Sequence, residues 1–179
     1  MLKRILIILA IAVLLVVCIG CSTETITPEK VEPGSNDDGN DNGGATTDTY
    51  AIGETIKMGD LEFTLHSAQL SAGEEFWKPE EGNVYLLVDC TIQNNSSESE
   101  AISSMLMFKV TDDQNYQYNV TVTPDQKGQL DGELGAGRAM RGEVAFEVAA
   151  ESEYWELIFE PNVFGFGQAI YVINASEIQ

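Results

Sequence analysis

Val84-Tyr85-Leu86-Leu87-Val88-Asp89-Cys90-Thr91-Ile92, preceded by Gly82-Asn83 and followed by Gln93-Asn94-Asn95-Ser96-Ser97, is the stretch from which the fold can be read. Val84, Leu86, Val88, Cys90 and Ile92 recur at every second position, the period of a strand that turns one face to a core. The Asn and Ser cluster behind it is turn-forming and bounds the strand near 94. The same period appears in Leu61, Phe63 and Leu65, alternating with Glu62, Thr64 and His66, and in Val144, Phe146 and Val148, alternating with Glu143, Ala145 and Glu147. Further strands are expected over 55–58, 105–111, 116–121, 154–160 and 169–173, with Gly59-Asp60 and Asp112-Asp113-Gln114-Asn115 as turns. No segment of comparable length repeats apolar residues at helical spacing. About seven or eight short strands, each apolar on one face, predict an all-β domain of two antiparallel sheets packed as a β-sandwich.

Residues 50–179 supply this domain, a size that carries one core. Residues 22–49 differ sharply in composition: Thr, Glu, Pro, Asp, Asn and Gly dominate, ending in Asn36-Asp37-Asp38-Gly39-Asn40-Asp41-Asn42-Gly43-Gly44. Such a stretch cannot bury a core and is expected to be a disordered acidic linker, with a root-mean-square span of about 30 Å as a flexible coil.

The first 21 residues are an address. Lys3 and Arg4 form a cationic head, 5–20 is an uninterrupted apolar run, and Ile19-Gly20-Cys21-Ser22 follows. The pattern resembles a prokaryotic lipoprotein signal, although Cys18 stands where Leu is usual. That resemblance implies a signal peptide over 1–20, cleavage between Gly20 and Cys21, and a lipid on the Cys21 thiol. The 21–49 segment then holds the lipidated cysteine and the linker. An uncleaved anchor would need about 20 apolar residues, and plain secretion would leave Cys21 bare. The expected location is the cell membrane, lipid-anchored and facing outside the cytoplasm.

Charge and cysteine content narrow the classes further. The chain carries 29 acidic against 9 basic residues, a formal charge of −20. Loss of Lys3 and Arg4 with the signal leaves −22. So acidic a surface repels phosphate backbones and anionic head groups, which argues against nucleic-acid binding and leaves the lipid as the means of membrane attachment. With Cys18 removed and Cys21 lipidated, Cys90 stands alone, in phase with the apolar face of its strand; it reads as a buried, unreactive thiol.

Gly53-Glu54-Thr55, Gly59-Asp60-Leu61-Glu62-Phe63-Thr64, Gly82-Asn83-Val84-Tyr85-Leu86-Leu87-Val88, Asn94-Asn95-Ser96, 108–116 and 135–146 together resemble the immunoglobulin-like domain of unknown function 4352. The resemblance spans nearly all of 50–173 and rests on turn and strand positions. It implies an immunoglobulin-like sandwich of the kind found on many prokaryotic lipoproteins, similar in fold to mycobacterial immunoprotective extracellular proteins, and no established activity. Family members often have Asp, any residue, Asp, Gly where this chain has Asp112 to Asn115.

No residue pattern names a reaction. His66 is the single histidine, so a histidine-rich metal site is not expected, and no nucleophile elbow, zinc-binding helix motif or phosphate loop occurs. Asp112 and Asp113 are weak candidate oxygen ligands for calcium, against the simpler reading of an acidic turn. Phe76-Trp77-Lys78-Pro79 and Phe164-Gly165-Phe166 place aromatics in loops, where they either contact a partner or fold back to plug the sandwich ends. Asn94, Asn95, Asn119 and Asn174 each open an Asn-x-Ser/Thr triplet, usable only by a glycosylating host. The expected function is a non-enzymatic, lipid-anchored interaction module of the cell envelope, without cofactor, contacting an unknown protein or small-molecule ligand. The alternative is a solute- or cation-binding sensor.

Overall fold

The structure, a computed structural model, describes residues 26–31, 49–161 and 167–178. In chain order the strands are β1 (Glu29–Lys30), β2 (Thr49–Tyr50), β3 (Thr55–Met58), β4 (Leu61–Ser71), β5 (Asn83–Asn94) and β6 (Glu100–Ser103). A single helical turn, α1 (Ser104–Met107), then leads into β7 (Phe108–Asp112), β8 (Gln117–Thr121), β9 (Asp131–Leu134), β10 (Ala139–Ala149), β11 (Tyr154–Phe159) and β12 (Ala169–Asn174). Ten strands form one continuous order, β1-β3-β4-β5-β10-β8-β7-β11-β12-β2, and β6 pairs with β9 separately.

That order folds back on itself into two layers. Phe63 of β4 packs against Phe108 of β7, Phe159 of β11 and Tyr171 of β12, strands that lie far from β4 along the hydrogen-bonded order. The corner is β8, which pairs Val120 and Thr121 with β10 and Gln117, Tyr118 and Asn119 with β7. A strand that changes partner midway is a recognised way of joining the layers of a sandwich. Between the layers lie the alternate residues identified from the sequence: Leu86, Val88, Cys90 and Ile92 from β5, Val144, Phe146 and Val148 from β10, and Leu61, Phe63 and Leu65 from β4, all buried. Cys90 is free and fully buried; burial first, and the Asp89 charge second, push its thiol well above the ordinary range.

Twelve strands among the described residues exceed the seven or eight expected. The four unexpected ones, β1, β2, β6 and β9, have only two to four residues each and carry no apolar alternation. β1 falls inside the stretch expected to be a disordered linker, so that expectation does not hold for Ile26 to Val31. Glu29 and Lys30 pair with Lys57 and Ile56 of β3, and the Val31 N–H donates to the Thr55 carbonyl at 2.9 Å. The strand expected over 105–111 begins three residues later, at Phe108. Ser104 donates through its N–H and hydroxyl to the Asp131 carboxylate, both at 2.9 Å, and the turn so fixed buries Ser104 and Met107 while Met105 and Leu106 face outward.

Candidate functional site

The outer face of the β4–β5–β10 layer carries the chemistry. The β4–β5 register slips between Leu65, opposite Cys90, and Ser67, opposite Asp89, leaving His66 as an extra, bulged residue. Without the bulge Ser67 would point into the core; with it, His66, Ser67 and Gln69 all reach the outer face. His66 lies on the side expected of it and is exposed, its Nε2 hydrogen-bonded to Thr91 Oγ1 at 2.7 Å.

Beside this pair Arg141 grips Asp89 with both prongs of its guanidinium, Nε to Oδ1 at 2.9 Å and Nη2 to Oδ2 at 2.6 Å. The hydrogen bonds from Arg141 hold the Asp89 carboxyl below the usual carboxylate range against a smaller opposing effect of burial. Asp89 therefore has both oxygens engaged by Arg141, and no hydrogen bond links it to the imidazole. Two residue pairs along the ladder from Arg141 and Thr91, Glu143 faces Asp89. It is buried, and it accepts the Lys127 N–H at 2.8 Å while the Lys127 ammonium stands 4.0 Å away. A groove of about 480 Å³ runs between these groups, lined by Ser67, Gln69, Leu87, Asp89, Lys127 and Arg141 among others. In a chain this acidic, two cations and the histidine gathered against two carboxylates form a locally balanced strip suited to a small polar or zwitterionic solute.

The same face leads to the aromatic loop. Past Leu87 the ladder reaches Tyr85 opposite Glu147, and Glu147 Oε1 accepts from the Glu80 N–H at 2.7 Å and from Asn83 Nδ2 at 3.1 Å. The connection 72–82 is thereby tied down at its far end. Its near end closes through a reciprocal pair, Glu74 N–H to the Trp77 carbonyl at 3.1 Å and Trp77 N–H to the Glu74 carbonyl at 2.9 Å. Gly73 has φ 72°, and a Cβ there would collide with the Trp77 carbonyl oxygen, so the turn requires glycine. At the tip Phe76 is 90 % exposed and Trp77 53 % exposed. Neither plugs the end of the sandwich. Phe164 and Phe166 lie outside the described residues, as do Gly20 and Cys21.

The acidic turn is built as a turn. Asp112 is buried; its Oδ1 accepts the N–H groups of Gln114 and Tyr116 at 2.9 and 2.8 Å, and its Oδ2 the Tyr118 hydroxyl at 2.7 Å. Burial alone would raise the carboxyl, but these three hydrogen bonds outweigh it and hold Asp112 below the ordinary value. Asn115 closes the turn, and with φ 66° it takes the left-handed conformation that Asn tolerates. Asp113 Oδ2 accepts the Glu153 N–H at 3.2 Å, and its Oδ1 is buried without a partner. Among the described residues no three His, Cys, Asp or Glu side chains cluster as metal ligands would. Asn94 is fully buried: Nδ2 donates to the carbonyls of Glu98 and Leu134, and Oδ1 accepts the Ser96 N–H. It is a structural hub and not a glycan acceptor, whereas Asn95 and Asn119 are exposed.

Sequence reasoning missed the groove because its members are scattered. Asp89 and Arg141 are 52 positions apart, and Lys127 sits on a connection of no recognisable period. The one available signal was Asp89 and Thr91 occupying the polar phase of an otherwise apolar strand.

No curated protein matches the chain in sequence. Among solved structures, the yjhA protein of Bacillus subtilis is similar at a TM-score of 0.55 and 17% identity, covering 70% of this chain and 100% of that one. The secreted protein MPT63 of Mycobacterium tuberculosis gives 0.53 and 14% over 71% of this chain and 99% of its own. The candidate lipoprotein ycdA of Bacillus subtilis gives 0.55 and 16% over 65% of this chain, which spans only 37% of ycdA. At these identities the likeness is one of fold. The family model named domain of unknown function (DUF4352) matches residues 50–170, and the chain belongs to that family.

Proposed function

We propose that the chain is a lipid-anchored, extracytoplasmic interaction module that meets another protein of the cell envelope through the Phe76 and Trp77 tip, and that it performs no catalysis. The observation that carries this reading is the tip itself: two large aromatics, exposed at 90 % and 53 %, held on a turn that Gly73 and the Glu74–Trp77 pair make rigid. Exposed aromatics on an ordered turn lose little conformational freedom on binding, which is what a contact residue needs. The N-terminal cationic head, apolar run and Gly20-Cys21 support lipid anchoring. Similarity in fold to proteins described as a candidate lipoprotein and a secreted protein fits the same location. Asp89 is engaged by Arg141, and among the described residues no carboxylate is hydrogen-bonded to His66, which speaks for binding over acid–base chemistry.

A second reading has its own observation. The balanced groove between Asp89, Arg141, Lys127 and Glu143 suits a small polar solute, and in that case the module is a sensor.

The test is in-cell photo-crosslinking from a benzophenone amino acid placed at Phe76, at Gln69 in the groove, and at exposed Val122 as control. A discrete protein adduct from position 76 alone supports the tip. Adducts no stronger than the Val122 control would sink it, and loss of crosslinking at all sites in Cys21→Ala would tie the contact to anchoring.

A further inference from the structure

Ile26 to Val31 changes where the domain sits. We infer that this segment is a strap which, docked on the edge of β3, shortens the path to the lipid and fixes the sandwich end-on to the bilayer, with the Phe76 and Trp77 tip pointing away from it. The inference rests on the reading of Cys21 as lipidated.

The strap is held at several independent points. β1 pairs with β3 through Glu29 opposite Lys57 and Lys30 opposite Ile56, and the Val31 N–H donates to the Thr55 carbonyl at 2.9 Å. Lys30 Nζ stands 2.7 Å from Glu54 Oε1, and the Tyr50 hydroxyl donates to the Pro28 carbonyl at 3.4 Å. Ile26 is partly buried against the core. Its backbone lies so close to Gly167 that a Cβ on that glycine would overlap the Ile26 carbonyl oxygen, and its Cδ1 comes within 3.6 Å of where a Cβ on Gly59 would stand.

Chain geometry follows from the docking. A free 22–49 linker would give the domain a range of about 30 Å. With Ile26 docked, only four residues separate it from Cys21, and five residue steps reach at most about 18 Å. Residues 32–48 then connect β1 to β2 and no longer set the height.

Direction follows from register. β1 runs antiparallel to β3, so Ile26 lies toward the Gly59 and Asp60 turn. Leu61 pairs with Asn94, and the Asn95 N–H bonds to the Asp60 carbonyl, so the 94–98 turn shares that end. At the other end of β4, Ser71 pairs with Tyr85 and leads into the aromatic loop. Eleven residues of strand, at about 3.3 Å each, place the two ends roughly 33 Å apart. The near end carries Asp60 and Glu98, which anionic head groups repel, so the lipid and its short leash hold it there, not surface charge.

The experiment uses the full-length lipidated protein in vesicles containing a quencher on the lipid head groups, with a dye on Asp60→Cys or on Glu75→Cys. The dye at 60 is expected to be quenched at least threefold more than the dye at 75, and deleting residues 34–47 is expected to change neither. Val31→Pro removes the strap's donor, and quenching at 60 should fall toward that at 75. Equal quenching at both positions, or quenching that rises on the 34–47 deletion, would overturn the inference. In the unlipidated Cys21→Ala chain the Val31 amide should still resist hydrogen exchange, and rapid exchange there would overturn the strap whatever the lipid does. Absence of fatty acid on Cys21 would instead remove the anchored reading, and the orientation with it, while leaving a protected Val31 amide as the separate measure of docking.

Discussion

The rings of Phe63 and Phe159 stack at 4.4 Å with an interplanar angle of 20°, joining β4 to β11 across the sandwich. Phe108 lies 5.5 Å from the same Phe63 ring and Tyr171 meets it edge-on at 5.4 Å. Tyr171 is tied back by its hydroxyl, which donates to the carbonyls of Glu54 at 2.9 Å and Phe63 at 3.3 Å. The aromatic cluster is therefore the point at which the two layers are fixed to each other.

Phe63→Ala is expected to cost about 3–5 kcal/mol, since it removes a fully buried ring and leaves a cavity lined by three others. Phe63→Leu should cost less, because part of the volume is kept. Phe76→Ala, at the exposed tip, should stay within about 0.5 kcal/mol of the parent. Urea unfolding midpoints of the three variants check the ordering, and a large loss at Phe76 would contradict the exposed tip.

The Asp112 turn makes stability depend on pH with a definite sign. Hydrogen bonds from Tyr118, Tyr116 and Gln114 hold its folded value below that of the unfolded chain, near 3.9. Its contribution is thus complete above about pH 5 and is lost as pH falls through the folded value. Asp89 and Glu54 are lowered too and add in the same direction. Asp112→Asn should cost about 1–3 kcal/mol at pH 7 and make the acid limb of the stability curve shallower. An acid limb identical to that of the parent, measured by thermal unfolding from pH 3 to 7, would refute this.

Two carboxylates of the groove should respond unequally. The Asp89–Arg141 fork is short, but the Arg141 side chain is 61% exposed and solvent screens the pair, so Arg141→Ala should leave the stability close to that of the parent. Glu143 is buried and its carboxylate satisfies the Lys127 N–H. Glu143→Ala leaves that donor unmatched and should cost about 1–3 kcal/mol. Denaturation of the two variants under one buffer gives the comparison, and the reverse order would mean that the fork between β5 and β10 contributes more than the hold of Glu143 on Lys127.

What could be read from the sequence followed from burial on one side. β5, β10 and the first half of β4 alternate because one face meets the core, and their phases hold in the structure. The second half of β4 did not read as strand, since the bulge at His66 shifts the phase and leaves Ala68 and Leu70 facing inward where an uninterrupted alternation would not put them. β1 was invisible for the opposite reason: Glu29 and Lys30 are both exposed on an edge, so no apolar alternation marks the strand, and the main-chain pairing with β3 leaves no mark on side-chain choice. The aromatic tip was legible as a candidate because Phe76 and Trp77 sit beside Lys78 and Pro79. Its exposure was not, because that depends on the Gly73 turn and on Glu147, which binds Glu80 from 67 positions further along the chain.

The two tryptophans give the tip a direct optical test. Trp155 of β11 is fully buried, while Trp77 is 53 % exposed. Acrylamide should therefore quench the folded protein in two classes, one readily and one hardly at all. Trp77→Phe should abolish the accessible class and leave emission that resists quenching until the chain unfolds. Gly73→Ala forces a side chain into a left-handed position already occupied by the Trp77 carbonyl, so the turn must rearrange at a cost of about 1–3 kcal/mol. If the tip owes its presentation to this turn, Gly73→Ala should alter the quenching constant of Trp77 while that of Trp155 stays unchanged. A single protected class in the parent protein would mean that Trp77 folds back onto the sandwich, and the contact role assigned to the tip would fall with it.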